Sequence, residues 1–406
     1  MSQMLALAVL TLIFVVSDKI ALATKSYLSA FFCISAFIII GNWTIFPMMF
    51  GPAEGATYIV NLTGLSAYTP IITSMYMVHV GTMISLTDLI KQWKTVIIGF
   101  MAVALIGVAG IFITSQIIDP YAAVASAPVV AGGSVANILM QAALDTVEAA
   151  RGIDLSQVKV VVIMTLCLQT LIAMPLCSAI MKSEATAIVK AGRLPALKSE
   201  QSGETGFQFK LPFQIPVPEM LKTQSGSLFR VALVGLAGYA FATLIGQNTL
   251  LVCMLFGVLF RTLGFLDPHA LTPANSYGWF LFMLTMFCMG SFWQCTPALV
   301  LGSIKYLIPI FGIGIIAIIV TAVIAKFIFK ESFRMCFAIG LTSMIGSPGT
   351  IYIAQEVSTA VADGDEEKRQ ILEGYCLPRL LIAGFSTLTV GSVIFASILV
   401  PILEKL

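Results

Sequence analysis

Two short runs in this chain have the residue types and spacing to bind an ion or a small solute. They are Gly132-Gly133-Ser134 and Gly346-Ser347-Pro348-Gly349-Thr350. Each interrupts an apolar stretch, residues 121–150 and residues 335–362, and polar side chains follow each break. Behind the first come Asn137, Gln141 and Asp145, four apart and so on one helix face. Behind the second come Thr350, Tyr352, Gln355 and Glu356. Glycine permits positive φ and close approach of the backbone, and Pro348 can open the helix that follows it. A broken helix frees carbonyls, and the restarted helix, near Ser134 and Thr350, points amides and a positive dipole end back at the break. Carbonyls and hydroxyls at Gly132, Ser134, Ser347 and Thr350 suit Na⁺; the helix ends suit a carboxylate. The competing expectation is that these small residues only allow helices to pack closely.

Four charged groups accompany the broken stretches. Glu356 is expected either to ligate a coupling ion or to form a structural ion pair. Arg379, early in the last apolar span, can pair with Glu356 or clamp a carboxylate with two parallel hydrogen bonds; the simpler expectation is an arginine snorkelling to the interface. Asp145 and Glu148 lie far along their limb and read as solvated. His79 reads as a buried histidine of the core or of a cavity wall, and His269 as a loop residue.

The elements that must position these groups follow from composition. The chain has 406 residues, 58% of them hydrophobic and 10% charged, with mean hydropathy +0.98; soluble domains carry about 25% charged residues. It is therefore expected to be an all-α polytopic membrane protein with little soluble mass. Residues 1–16 lack a basic leader and a small-residue cleavage site, and read as a short first span. The eight cysteines are scattered through apolar segments with no C-x-x-C, which argues against a disulfide framework and a zinc site. No phosphate-binding loop, dinucleotide fingerprint, paired metal ligands or nucleophile elbow occurs, so neither an enzyme nor an ATP-driven pump is expected.

Apolar spans are expected at 4–16, 27–46, 59–84, 96–118 and 158–181, then at 228–245, 250–265, 277–293, 306–329 and 377–399. Each broken stretch falls between the last two spans of its half. This divides the chain into a first repeat (1–181, broken at 121–150), a polar linker (182–227) and a second repeat (228–406, broken at 335–362). Proline and charge keep the linker out of the membrane, with 207–213 expected on its surface. Limbs of about nine residues would reach only about 13 Å, which favours re-entrant hairpins over broken helices that cross. With hairpins, most Lys and Arg residues, among them Lys19, Lys25, Lys91, Lys94, Lys326 and Arg334, fall on one side with the linker, as cytoplasmic loops require. Five crossings per half would make the two repeats inverted.

Broken segments in corresponding positions of two repeats mark the binding site of secondary transporters. The arrangement resembles the sodium/glutamate symporter family and, more loosely, the 2-hydroxycarboxylate symporters. The piece APVVAGGSVANILMQAAL is similar to the first GG-containing loop of the glutamate symporters, and MIGSPGTIYIAQEVS to the second. Two departures stand out: Gly133 is followed by Ser134-Val135-Ala136 where the family has a GG-x-G type sequence, and the second tip carries a proline. The resemblance implies a transport domain moving against a scaffold that dimerises, and Na⁺-coupled uptake of a small organic anion or amino acid, glutamate-like, by an elevator movement. The expected site is Gly132, Gly133, Ser134, Asn137, Gln141, Gly346, Ser347, Gly349, Thr350, Gln355, Glu356 and Arg379. The expected partners are the anionic solute, Na⁺ or H⁺, the lipid bilayer and a second copy, with no nucleic acid and no cofactor besides the coupling ion. The expected place is a bacterial-type inner (plasma) membrane. The rival expectation is a cation/proton antiporter or an exporter on the same plan.

Overall fold

The computed structural model describes residues 2–50, 59–83, 92–202, 214–246, 249–289 and 296–406. The principal helices of the first half are α1 (Ser2–Ala23), α2 (Ala30–Trp43), α3 (Thr69–Met83), α4 (Trp93–Phe112), α5 (Pro120–Arg151) and α6 (Ser156–Lys190). Those of the second half are α7 (Gln224–Ile245), α8 (Thr249–Thr262), α9 (Tyr277–Cys288), α10 (Pro297–Phe329), α11 (Phe333–Ile345), α12 (Gly349–Ala362), α13 (Glu366–Phe385) and α14 (Ser392–Leu403). A π-helical turn, Ser386–Gly391, joins the last two. No strand occurs among the described residues, and six helices there are long and apolar enough to cross a membrane. The chain is an all-α membrane protein.

Helices lie within the expected spans with shifted ends, but the span expected at 377–399 is divided among the end of α13, the π turn and α14. The span expected at 59–84 is in pieces: one helical turn at Ile59–Leu62, a 3₁₀ turn at Leu65–Tyr68, then α3. The helix α6 runs on to Lys190, nine residues past its expected end, and α7 starts at Gln224, so the polar connection is shorter than 182–227. The surface segment expected at 207–213 lies outside the described residues.

The chain forms two compact units whose segments alternate along the sequence, each taking segments from both halves. One comprises Met1–Leu10, Tyr58–Trp93 and Ser199–Gly290. Its centre is the crossing of α3 and α8. A β-carbon on Gly81 would lie 2.1 Å from the Met254 carbonyl oxygen, and one on Gly257 would lie 2.2 Å from that of Val78. Only glycine at both positions lets two helix backbones touch. The loop before α9 is tied to α3 by His79, whose Nδ1 accepts from the Leu271 amide at 3.1 Å, and by Thr82, whose hydroxyl accepts from that of Ala270 at 3.1 Å. Arg230, 2% exposed, donates to the Phe265 carbonyl, Ser227 and Asp267.

The second unit comprises Thr11–Thr57, Lys94–Lys198 and Ser291–Leu406, and holds both broken stretches. Here α5 packs on α6 and α14, while α11 and α12 pack on α6 and α13. Each broken stretch therefore leans on the last long helix of its own half and on the last of the other half. Local signals set the ends. Asp119 caps α5 by accepting from the Ala122 amide at 3.0 Å, and Pro120 follows at the position where its missing N–H is harmless. Asp365 caps α13 in the same way through the Lys368 amide.

Candidate functional site

The two breaks share one backbone device. Gly133, inside α5, has φ 68° and ψ −143°; Gly346, after α11, has φ 68° and ψ −175°. Both conformations are open essentially to glycine alone. Each limb is longer than the nine residues expected. The two limbs of α5 reach about 20 and 27 Å, and α11 and α12 about 20 Å each. Every limb alone therefore exceeds half of a bilayer core of about 30 Å, and the length argument for hairpins lapses. The limbs α11 and α12 meet chiefly at their joint and otherwise pack on α6 and α13.

Both tips close on one side chain. A β-carbon on Gly346 would lie 2.3 Å from Leu388 Cδ1, and one on Gly133 would lie 3.3 Å from Leu388 Cδ2. Leu388 belongs to the π turn, a form often found at functional sites. Four residues to either side, Gly384 borders Gly346 and Thr350, and Ser392 abuts Gly132 so closely that any β-carbon there would overlap it. Positions 384, 388 and 392 thus form a track against the second tip, both tips and the first tip. The helix α6 also touches both: Gln169 Nε2 lies 4.0 Å from where a β-carbon of Gly133 would be, and the Met174 sulfur would be 3.2 Å from a β-carbon on Gly349.

Several oxygens at this junction have no hydrogen-bond partner. They are Oγ1 of Thr350 (1% exposed), Oε1 of Gln169 (4% exposed) and Oδ1 of Asn137. A buried polar atom left unpaired costs about 1–3 kcal/mol, which a ligand at the breaks would offset. Amides are scarcer at the second tip than the sequence led us to expect. The Thr350 amide donates to the Gly346 carbonyl at 3.0 Å, and those of Ile351 and Tyr352 donate to the Pro348 carbonyl. Pro348 has no amide hydrogen. The start of α12 is largely closed on its own tip and offers less to a carboxylate than an open helix end would.

The remaining expected residues divide. Gly132, Gly133, Gly346, Gly349 and Thr350 are at the junction, and Asn137 lies one turn beyond Gly133. Ser347 sits half-buried at the second tip, and the side chain of Ser134 lies outside the described residues. Four others are engaged elsewhere. Gln141 donates to the Lys159 carbonyl at 3.0 Å, tying α5 to the start of α6. Gln355 faces Glu373, itself paired with Arg369. Glu356 makes no ion pair with Arg379. Its Oε1 accepts from the Ala30 amide at 2.9 Å and the Ser29 hydroxyl at 3.2 Å, so it caps α2. Arg379 donates to the Tyr375 carbonyl at 2.9 Å and stacks over that ring at 4.1 Å. Asp145, exposed as expected, and the partly buried Glu148 both pair with Lys159.

Gln169, Leu388 and Ser392 were not foreseen; each sits in an apolar span with no local signal. A buried acid was missed too. Glu184 on α6, 2% exposed, accepts from Ser332 at 2.7 Å and Tyr375 at 3.4 Å, joining α6 to the entry of α11 and to α13. Among the described residues no group of three or more His, Cys, Asp or Glu side chains is placed to hold a metal ion. No protein-family model matches the chain, and no curated protein matches it.

Proposed function

We propose that the chain is a secondary active transporter, a Na⁺-coupled symporter of a small organic anion or amino acid, with its site at the junction of the two breaks. The observation that carries this reading is the meeting of two left-handed glycine breaks on Leu388 beside buried oxygens that lack partners. Irregular backbone at membrane depth is tolerated where protein buries it or a wet cavity borders it. Its pairing with unsatisfied polar atoms is what an ion and solute site needs. Among the charged residues expected at the site, Glu356 caps α2 through Oε1 while its Oε2 is buried without a partner, and Arg379 is held by Tyr375.

The reading takes both stretches as crossing helices broken near the middle, on the strength of limb length and of the separate packing of α11 and α12. Crossing by the first stretch places Lys19, Lys25, Lys91 and Lys94 on the outer face. Cysteines at Gln116 and Ala150, both exposed, on a background without reactive cysteines, then label from opposite sides of the membrane; labelling from one side restores the hairpin.

Function is tested in proteoliposomes with an imposed Na⁺ gradient and a panel of amino acids, dicarboxylates and hydroxycarboxylates. Saturable, Na⁺-dependent uptake with counterflow is expected. Solute flux without saturation or counterflow would make the chain a channel, and binding without flux a sensor.

A further inference from the structure

We infer that Gln169 supplies an amide oxygen to a monovalent cation bound at the first tip, on the α6 side of Gly133. Gln169 stands mid-way along α6, and the nitrogen of its amide, Nε2, lies 4.0 Å from where a β-carbon of Gly133 would be; rotating the amide by half a turn about its last side-chain bond brings Oε1 to that place. Its Oε1 is buried and accepts no hydrogen bond, and Asn137 Oδ1, one helical turn past the same glycine, accepts none either. Two amide side chains, each with an oxygen that lacks a donor, therefore stand within about a helical turn of one break. Such a break turns backbone carbonyls out of the helical ladder, as the unwound segments of Na⁺-binding transporters do.

The chemistry of this set selects the ligand. Amide and backbone oxygens are hard, neutral donors, which suit a dehydrated alkali cation. Zn²⁺ prefers nitrogen and sulfur, and Ca²⁺ draws on carboxylates; among the described residues no cluster of acidic, His or Cys side chains is present to meet either. An anion needs donors, and the unpartnered atoms here are acceptors. Leu388 closes the side toward the second tip, since its Cδ2 lies against Gly133 while its Cδ1 lies against Gly346. Leu388, an apolar side chain, therefore stands between the first tip and Gly346, the glycine of the second tip that borders Gly384. This site rests on the transport reading for its purpose, but its occupancy can be measured without transport.

The test is the melting temperature of the purified full-length protein in detergent, with Na⁺ replacing choline at constant ionic strength. The wild type is expected to melt higher as Na⁺ rises, with a saturable midpoint, because a ligand of the native state stabilises it. In Gln169→Leu the midpoint should rise at least tenfold. Its melting temperature without Na⁺ should equal or exceed the wild-type value, because an unpartnered buried amide has been replaced by an apolar group of similar size. Gln169→Met serves if Gln169→Leu does not fold, and Gln224→Leu, in the other unit, should leave the midpoint unchanged. An unmoved Na⁺ midpoint in a folded Gln169 variant overturns the inference and leaves the transport reading standing. A wild type indifferent to Na⁺ overturns both the site and Na⁺ coupling. A Gln169 effect on carboxylate stabilisation with none on Na⁺ would make Gln169 a solute donor and overturn the cation assignment.

Discussion

Alanine at Gly346 should destabilise the protein by two separable amounts. The backbone there, at φ 68° and ψ −175°, belongs to the region that only glycine occupies without strain. Holding alanine in it costs about 1–3 kcal/mol. The new β-carbon would also lie 2.3 Å from Leu388 Cδ1. Because that atom ends a flexible side chain, repacking it should cost about 1 kcal/mol, the low end for overpacking. The single variant should thus lose about 2–4 kcal/mol in total. Leu388→Ala alone loses about 2 kcal/mol for a truncated, half-buried leucine. The double variant keeps the backbone strain but not the overlap, so the two changes should fall short of additive by about 1 kcal/mol. The assay is reversible unfolding in mixed micelles across the four proteins of the cycle, read by tryptophan fluorescence. Gly384→Ala is the comparison, since its β-carbon meets the Thr350 methyl at 3.4 Å, an ordinary contact, and no positive φ is involved. A Gly346→Ala protein as stable as wild type would refute the strained break. Strict additivity would refute the contact between Leu388 and the second tip.

The cap on α2 separates charge from hydrogen bonding. Glu356→Gln keeps an oxygen for the Ala30 amide and should leave both folding and Na⁺-driven uptake near wild type, whereas Glu356→Ala should lose about 0.5–2 kcal/mol, as removal of a helix cap does. Uptake abolished in a well-folded Glu356→Gln would return Glu356 to the coupling site. In the other unit, Gly257→Ala should prevent folding, because its β-carbon would meet the Val78 carbonyl at 2.2 Å and two helix backbones cannot part there; a monodisperse Gly257→Ala on size exclusion would contradict that crossing. Arg230→Ala should lose about 2 kcal/mol by leaving the Phe265 carbonyl and Asp267 without their donor, less than for a fully buried pair because Asp267 is half exposed. A chemical-unfolding midpoint matching the wild type would show that solvent satisfies both groups.

Some of this protein was written locally. The membrane class follows from composition alone, since so few charges cannot cover a soluble surface. The breaks at Gly133 and Gly346 were legible because a left-handed backbone inside an apolar helix needs glycine, and glycine stands at both places. Helix starts such as Asp119-Pro120 and Asp365 were local too, since a cap acts within three residues. The tertiary structure decided the rest, because it depends on which distant residues meet. Glu356 became a cap because Ala30 lies against it from 326 positions away, and no spacing rule reaches that far. Gln169 and Leu388 lie within apolar spans, and only the approach of α6 and of the π turn to the breaks gives them a role. The lengths of the limbs, which bear on whether the chain crosses or returns at each break, come from helix ends that packing extends beyond the apolar pattern. The division into two units of alternating segments has the same origin: α3 and α8 find each other through glycines at 81 and 257, in different halves of the chain.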